Sequence, residues 1–311
     1  MSTATNREHE PFVHPALFYR GREQYTAGTV PFLLEGLSAG EAVAVAVPGP
    51  NLELIRAEMG ASAAEVKFLD MTSAGRNPGR IIPGVLRAFA DAHPASRVRI
   101  IGEPIWADRS AVEYPACVQH EALINAAFQG RDVTILCPYD ADALAPESLA
   151  DAYVTHPVVI DAGVELTSDA YDPEHAVARY NQPLTSPPGA ASLSFDGDAL
   201  PLARSFAVQE AGRLGLAGAR LQDLMLAVAE LTTNSVVHGG GAGTVRVWAE
   251  GPQVVCEVHD GGRLTDPLAG RRPPARDQLG GRGLMLVHYV ADLVRFHTTE
   301  DGTTIRFYLD L

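Results

Sequence analysis

The chain has 311 residues, 46 % hydrophobic and 20 % charged, with a formal net charge of −14. That length predicts two domains, each with its own core, while a single lysine, Lys67, in an acidic chain argues against a nucleic-acid surface, which needs clustered cations. No apolar run approaches the ~20 residues that cross a bilayer, and the opening MSTATNREHEP lacks the basic end and apolar core of a signal peptide; a soluble cytoplasmic protein is expected.

In chain order, AVAVAV at 42–47 reads as a short buried strand closed by PGPN, and NLELIRAEMG as a helix running from an Asn cap to a glycine. The pattern recurs with a strand at VKFLD (66–70), a helix near 78–92, a strand at 97–103, a helix near 111–129 and a strand at 132–140. Continuous apolar strands alternating with helices predict a parallel sheet covered on both faces. The Pro- and Ser-rich stretch YNQPLTSPPGAAS reads as a linker at 180–192, separating domains at 1–179 and 193–311. Beyond it come two amphipathic helices ending near 239, strands at 244–250 and 253–260, a helix at 284–291 and strands at 293–298 and 303–309. These predict an antiparallel-rich sheet with helices on one face.

The three cysteines, Cys117, Cys137 and Cys256, show no CxxC spacing and are expected to be buried, reduced thiols. Nor does any recognised ligand spacing join His14, Cys117 and His120 into a haem or zinc site.

The second half carries the denser chemistry. In LMLAVAELTTNSVVHGGG (224–241), Glu230, Asn234 and His238 follow one another at intervals of four, which places them on one side of a helix. A carboxylate beside an amide suits Mg²⁺, a hard ion that takes oxygen ligands and keeps substrate phosphates as partners; His238 is expected only to cap or pack at the helix end. Asp260 ends a strand before Gly261 and Gly262, where the backbone can approach a ligand closely and the carboxylate can accept from an adenine amino group. LGGRGLMLV (279–287) sets glycines before a helix, which offers backbone N–H groups to phosphates, with Arg282 as an added cation.

The order ELTTN, HDGG, GGRGLMLV, DGTTIRFYL resembles the N box and glycine boxes of the GHKL ATPases, and within them the anti-sigma-factor serine kinases of the RsbW and SpoIIAB type, over about residues 190–311. The resemblance implies a GHKL (Bergerat) α/β sandwich that binds ATP and Mg²⁺. It implies Mg²⁺ ligation by Asn234, general-base action by Glu230, and adenine binding by Asp260 with Gly262. It further places Gly281 and Gly283 on the phosphate side, Thr303 near the adenine, and Arg204 on a helix that meets partner proteins. The sequence departs from the family in two places: Leu264 stands where the last glycine of the D-x-G-x-G box belongs, and the lid, residues 263–278, contains no lysine.

The first half offers no Walker motif, because VPGPNLELI lacks a Lys-Ser or Lys-Thr pair. HPALFYRGREQY (14–25), PGPN, GRNPGR (75–80), GEPIW (102–106) and EALINAAF (121–128) together resemble the MEDS sensory domain of the DcmR regulator, which implies a RecA-like parallel-sheet domain that senses a small molecule. Glu103 at a strand end, with Glu121 and Asn125 four apart on a helix, are candidates for a ligand crevice, and His14 and Tyr19 are alternative pocket residues. The combined expectation is an α/β regulator. A small-molecule sensor would tune an ATP-dependent serine/threonine kinase whose partners are a sigma factor and an anti-anti-sigma (STAS) protein, with a possible homodimer. A non-catalytic nucleotide-dependent binding module is the alternative, and a histidine kinase phosphorylated on His120 is a third, at odds with the Pro-rich linker.

Overall fold

The computed structural model describes residues 12–272 and 281–311. The chain divides into two compact units, one running to Ala74 and resuming over Gly84–Ala176, the other made of Gly75–Pro83 and Val177–Leu311.

The strands of the first unit are β1 (Phe12–Val13), β2 (Pro15–Tyr19), β3 (Ala42–Val47), β4 (Lys67–Asp70), β5 (Val98–Gly102), β6 (Val133–Asp140), β7 (Val158–Asp161) and β8 (Val164–Thr167). Its helices are α1 (Gly21–Ser38), α2 (Gly49–Met59), α3 (Met71–Ala74), α4 (Ala88–Ala92), α5 (Tyr114–Phe128) and α6 (Pro146–Thr155), and α7 (Pro173–Arg179) leads into the second unit. The sheet runs β4-β3-β5-β6-β2-β7-β8, with β1 beside β6. Every pairing is parallel except β7 with β8. Helices over both faces explain why β3 is apolar throughout, with Val43 to Val47 all buried.

The single helix expected near 78–92 is broken into a 3-10 turn at Pro78–Arg80, a π-helical stretch at Ile82–Arg87 and α4. Two prolines, Pro78 and Pro83, remove backbone donors from this stretch, so a continuous α-helical ladder cannot form across it. The α6, β7 and β8 region has no counterpart among the expected elements; all four residues of β8 are exposed, so its periodicity carries no core signal.

The second unit is a five-stranded antiparallel sheet of β9 (Ala191–Asp196), β10 (Ala242–Glu250), β11 (Gln253–Asp260), β12 (Leu293–Thr299) and β13 (Gly302–Asp310), ordered β12-β13-β11-β10-β9. Among the described residues, α8 (Leu200–Arg213), α9 (Gly218–His238) and α10 (Gly283–Val290) belong to it. A stripe of Ala203, Ala207 and Ala211 on α8 lets it approach closely, and with Leu224, Ala227, Val228 and Leu231 of α9 it shares a core with Val245, Val247, Val254, Cys256, Phe307 and Leu309 of the sheet.

Two findings depart from the expected domain borders. Residues 180–190 are tied to the sheet: Asn181 exchanges hydrogen bonds with the backbone of Thr298 (2.7 and 2.9 Å), and Ser186 donates to Glu257 (2.6 Å). Glu257 is buried on a strand face and pairs with buried Arg306 and half-buried Arg246, since such a charge requires polar partners. The GRNPGR segment, expected in the sensory half, groups with the C-terminal unit. Asn77 donates to the carbonyls of His288 (2.9 Å) and Ala291 (3.4 Å), and Arg76 pairs with Asp292 and Asp310. Asn77 is fully buried there, and its amide satisfies carbonyls that the end of α10 leaves without helical donors. Among the described residues no helix is long and apolar enough to cross a membrane, and all three cysteines are free and buried.

Candidate functional site

A cavity of about 910 Å³ opens in the second unit between α9, the end of β11, the following loop and the start of α10. Glu230, Asn234 and His238 line it from α9, as helical spacing requires. Asp260, Gly262, Gly281, Arg282, Gly283 and Thr303 also line it, so eight residues separated by up to 73 positions in the chain, Glu230 and Asn234 included, share one space. Arg204 lies on α8, half-buried, with its Nε enclosed and unpaired.

Asp260 is held from both sides. Its Oδ2 accepts from Ser235 Oγ (2.7 Å), and its Oδ1 accepts from the Gly262 N–H (2.9 Å). Charge-assisted bonds of this kind fix the carboxylate plane while leaving lone pairs for a ligand donor. The glycines around it are required by close approach. A Cβ on Gly239 would sit 2.4 Å from the Asp260 carboxyl carbon, and one on Gly262 would sit 2.6 Å from the His238 carbonyl oxygen and 2.7 Å from Gly239 Cα. Only glycine lets the end of α9 and the loop after β11 touch.

The Leu264 departure has a structural account. Its N–H donates to Thr298 Oγ1 and Thr303 Oγ1, both at 3.1 Å, and Thr303 in turn donates to the Gly262 carbonyl at 2.7 Å. Leu264 does not adopt a positive φ, so two threonine hydroxyls secure the loop at a position with no conformational need for glycine. Thr303 is therefore a buried anchor of the loop as well as a cavity wall.

Gly281 adopts φ +77°, a conformation that favours glycine, immediately before α10. A Cβ on Gly283 would lie 2.5 Å from Glu230 Oε2 and 3.5 Å from Asn234 Nδ2, so the first turn of α10 faces the carboxylate and the amide directly. The N-terminus of an eight-residue helix with an exposed arginine at its cap thus points positive character toward this corner. The arrangement can hold a polyanion on the α10 side and a hydrogen-bonding ring at Asp260. Gly280 and the lid segment 273–278 lie outside the described residues.

Sequence reading missed Ser235, Gly239, Arg263 and Arg272. The two arginines line the cavity and are paired with Glu300 (3.6 Å) and Asp266 (2.9 Å). Ser235 adjoins Asn234, but nothing in the sequence pairs it with Asp260.

In the first unit, the residues chosen for a ligand crevice fall into two separate groups. Glu103 is buried and accepts from Tyr19 (3.0 Å), Tyr25 (3.3 Å) and Asn51 (2.9 Å), beside a cavity of about 320 Å³ lined by Tyr19, Tyr25, Asn51 and Asp140 at the C-terminal ends of the strands. Burial pushes its carboxyl up to about 7, against the pull of those three donors. Glu121 and Asn125 project from α5 into a different cluster with His14, Cys137 and His156. Strand ends and the inner face of α5 are different walls of the sheet layer, which periodicity alone does not distinguish.

A family model for the MEDS domain, described as the methanogen/methylotroph, DcmR sensory domain, matches residues 13–157. A model for the histidine kinase-like ATPase domain matches residues 193–309. No curated protein matches the chain. Among solved structures, the Acinetobacter baumannii histidine kinase AdeS is similar at 11 % identity and a TM-score of 0.24, over 39 % of this chain and 67 % of that one. The chain thus joins a MEDS sensory domain to a histidine kinase-like ATPase domain, an arrangement of a signalling regulator.

Proposed function

We propose that the protein is an anti-sigma factor of the serine/threonine kinase type, in which the MEDS domain tunes an ATPase domain that binds Mg-ATP. One observation carries this reading: Glu230, Asn234, Asp260 and the α10 N-terminus converge on one cavity large enough for a nucleotide, held open by glycines that exclude a Cβ. The fit to Mg-ATP rests on the donor set, with one carboxylate fixed by Ser235 and Gly262, and with a second carboxylate and an amide facing a helix N-terminus. Asp260 would hold the adenine amino group, Gly281, Arg282 and Gly283 the phosphates, and Asn234 the metal. Bound Mg²⁺ would neutralise phosphate charge. Glu230 would orient the attacking hydroxyl of an anti-anti-sigma protein and accept its proton. Leu202 on α8 and Met225 and Leu226 on α9 are large apolar side chains left exposed, and with Arg204 they suit a surface that meets a sigma factor.

Transfer of the γ-phosphate to a serine or threonine of the partner, lost in Glu230→Ala and Asn234→Ala, is the expected result. Undiminished transfer in both variants overturns the roles given to them. The second reading, a nucleotide-dependent binding module without catalysis, is favoured by the lack of lysine in residues 263–278; nucleotide binding with no phosphorylated partner would establish it. His120 is buried on α5, which speaks against its use as a phospho-acceptor.

A further inference from the structure

Four side chains from four elements of the first unit meet in a fully enclosed space. They are His14 between β1 and β2, Cys137 on the neighbouring strand β6, Glu121 on α5 and His156 just after α6. One ligand-capable atom from each lies within 4.8 Å of all the others. Glu121 Oε2 is 3.3 Å from His14 Nε2 and 3.1 Å from His156 Nε2, and Cys137 Sγ is 3.3 Å from His14 Nε2. Metal–ligand bonds of about 2.0–2.3 Å in a tetrahedron put the ligand atoms roughly 3.3–3.8 Å apart, so these spacings are close to those of a formed zinc shell.

Hydrogen bonding on the far side of each ring fixes what the near side offers. His156 Nδ1 lies 3.0 Å from the Ala152 carbonyl oxygen, which can only accept, and 3.0 Å from Thr155 Oγ1, whose proton goes to the Asp151 carbonyl (2.9 Å), so Nδ1 carries the proton. Asn125 Nδ2 donates to the carbonyls of Thr155 (2.9 Å) and Ala122 (3.1 Å), which turns its Oδ1 toward His14 Nδ1 at 3.1 Å and makes that nitrogen a donor too. In the neutral rings both Nε2 atoms therefore present lone pairs, and both face a carboxylate, which has only lone pairs of its own. Neither oxygen of Glu121 nor His156 Nε2 has a hydrogen-bond partner, in a place without solvent. Lone pairs at these distances repel unless positive charge stands among them. A single proton cannot serve the whole cluster: the Cys137 thiol can donate to His14 Nε2, which still leaves His156 Nε2 and the Glu121 carboxylate facing one another.

We propose that His14 Nε2, Glu121, Cys137 Sγ and His156 Nε2 bind one divalent transition-metal ion, Zn²⁺ by the chemistry of the donors. Two neutral imidazoles, one carboxylate and one thiolate cancel the charge of a dication, which leaves the buried site neutral. The mixed nitrogen, sulfur and oxygen set suits Zn²⁺ better than Mg²⁺ or Ca²⁺, which prefer oxygen alone. The outer hydrogen bonds from each Nδ1, to Asn125 and to the Ala152 carbonyl, are the orienting contacts that metal-binding histidines use. With four protein donors the shell is complete, so the ion would fasten β2 and β6 to α5 and α6. The donors are scattered over residues 14–156 with no short spacing, which is why no motif marks them.

The test uses the untagged full chain. Elemental analysis after exhaustive dialysis should find one equivalent of zinc per chain, and replacement by Co²⁺ should give a thiolate-to-cobalt charge-transfer band with intense visible bands of tetrahedral cobalt. Cys137→Ser should abolish the charge-transfer band, and Glu121→Gln, of nearly unchanged shape, should lower zinc retention against a chelator at least tenfold while the far-ultraviolet circular dichroism stays native. A wild-type chain that neither contains nor takes up zinc or cobalt would overturn the proposal. So would a cobalt protein without the thiolate band, or a folded Cys137→Ser or Glu121→Gln variant that behaves as the wild type.

Discussion

Replacing Gly283 with alanine separates the role assigned to Glu230 from the stability of the fold. The new Cβ would lie 2.5 Å from Glu230 Oε2, and an ordinary contact needs about 3.4 Å, so the carboxylate must move by roughly 1 Å. That movement is inexpensive, because the obstructing atom is the far end of a flexible side chain. Gly283 does not adopt a positive φ and begins α10, so alanine fits the backbone and adds up to about 1 kcal/mol of helix preference. Stability should hold or rise slightly. A 1 Å misplacement of a positioned catalytic group costs on the order of 100-fold in rate. Thermal melting, calorimetric titration with Mg-ATP, and phosphate transfer or basal hydrolysis would be measured on the same preparation. The expected pattern is an unchanged or higher melting temperature, affinity altered by no more than a few-fold, and turnover reduced about 100-fold. Unchanged turnover in a variant with native stability would refute the placement of Glu230 at the reacting atoms.

Ser235→Ala removes the 2.7 Å bond to Asp260 Oδ2 and leaves a carboxylate held from one side only, so nucleotide affinity should fall about tenfold, read by titration; full affinity would show that Asp260 does not depend on Ser235. Gly79→Ala would drive a Cβ to 1.9 Å from His288 Nδ1 in a buried contact, and overpacking there should cost about 1–3 kcal/mol in a denaturant melt; no loss would contradict the seating of Gly75–Pro83 in the second unit. Glu103 is raised by burial from its ordinary 4.5 to about 7, so in the folded state the neutral form is favoured. Its contribution to stability is therefore fully present below about 4.5 and disappears as pH rises through about 7, a swing of roughly 3 kcal/mol at most. The stability difference between the wild type and Glu103→Gln, followed by urea unfolding across that interval, should change in this direction, and a flat difference would place Glu103 in water.

The sequence by itself determined the two α/β halves and pointed to Glu230, Asn234, Asp260 and the glycines that share one cavity in the second unit. Apolar runs at 42–47 and 135–139, and the interval of four joining Glu230 to Asn234 and His238, are local patterns whose geometry is set by the periods of strand and helix. The glycines at 262, 281 and 283 were legible for the same reason, since a backbone that must bend or approach closely leaves its mark in the residue itself. Tertiary structure alone decided the contacts between distant segments. It paired Ser235 with Asp260, secured Leu264 with Thr298 and Thr303, took Gly75–Pro83 into the second unit, and drew His14, Glu121, Cys137 and His156 into one enclosed cluster. Each of these joins groups from separate segments, and which segments become neighbours depends on strand order and helix packing, quantities that no spacing along the chain encodes.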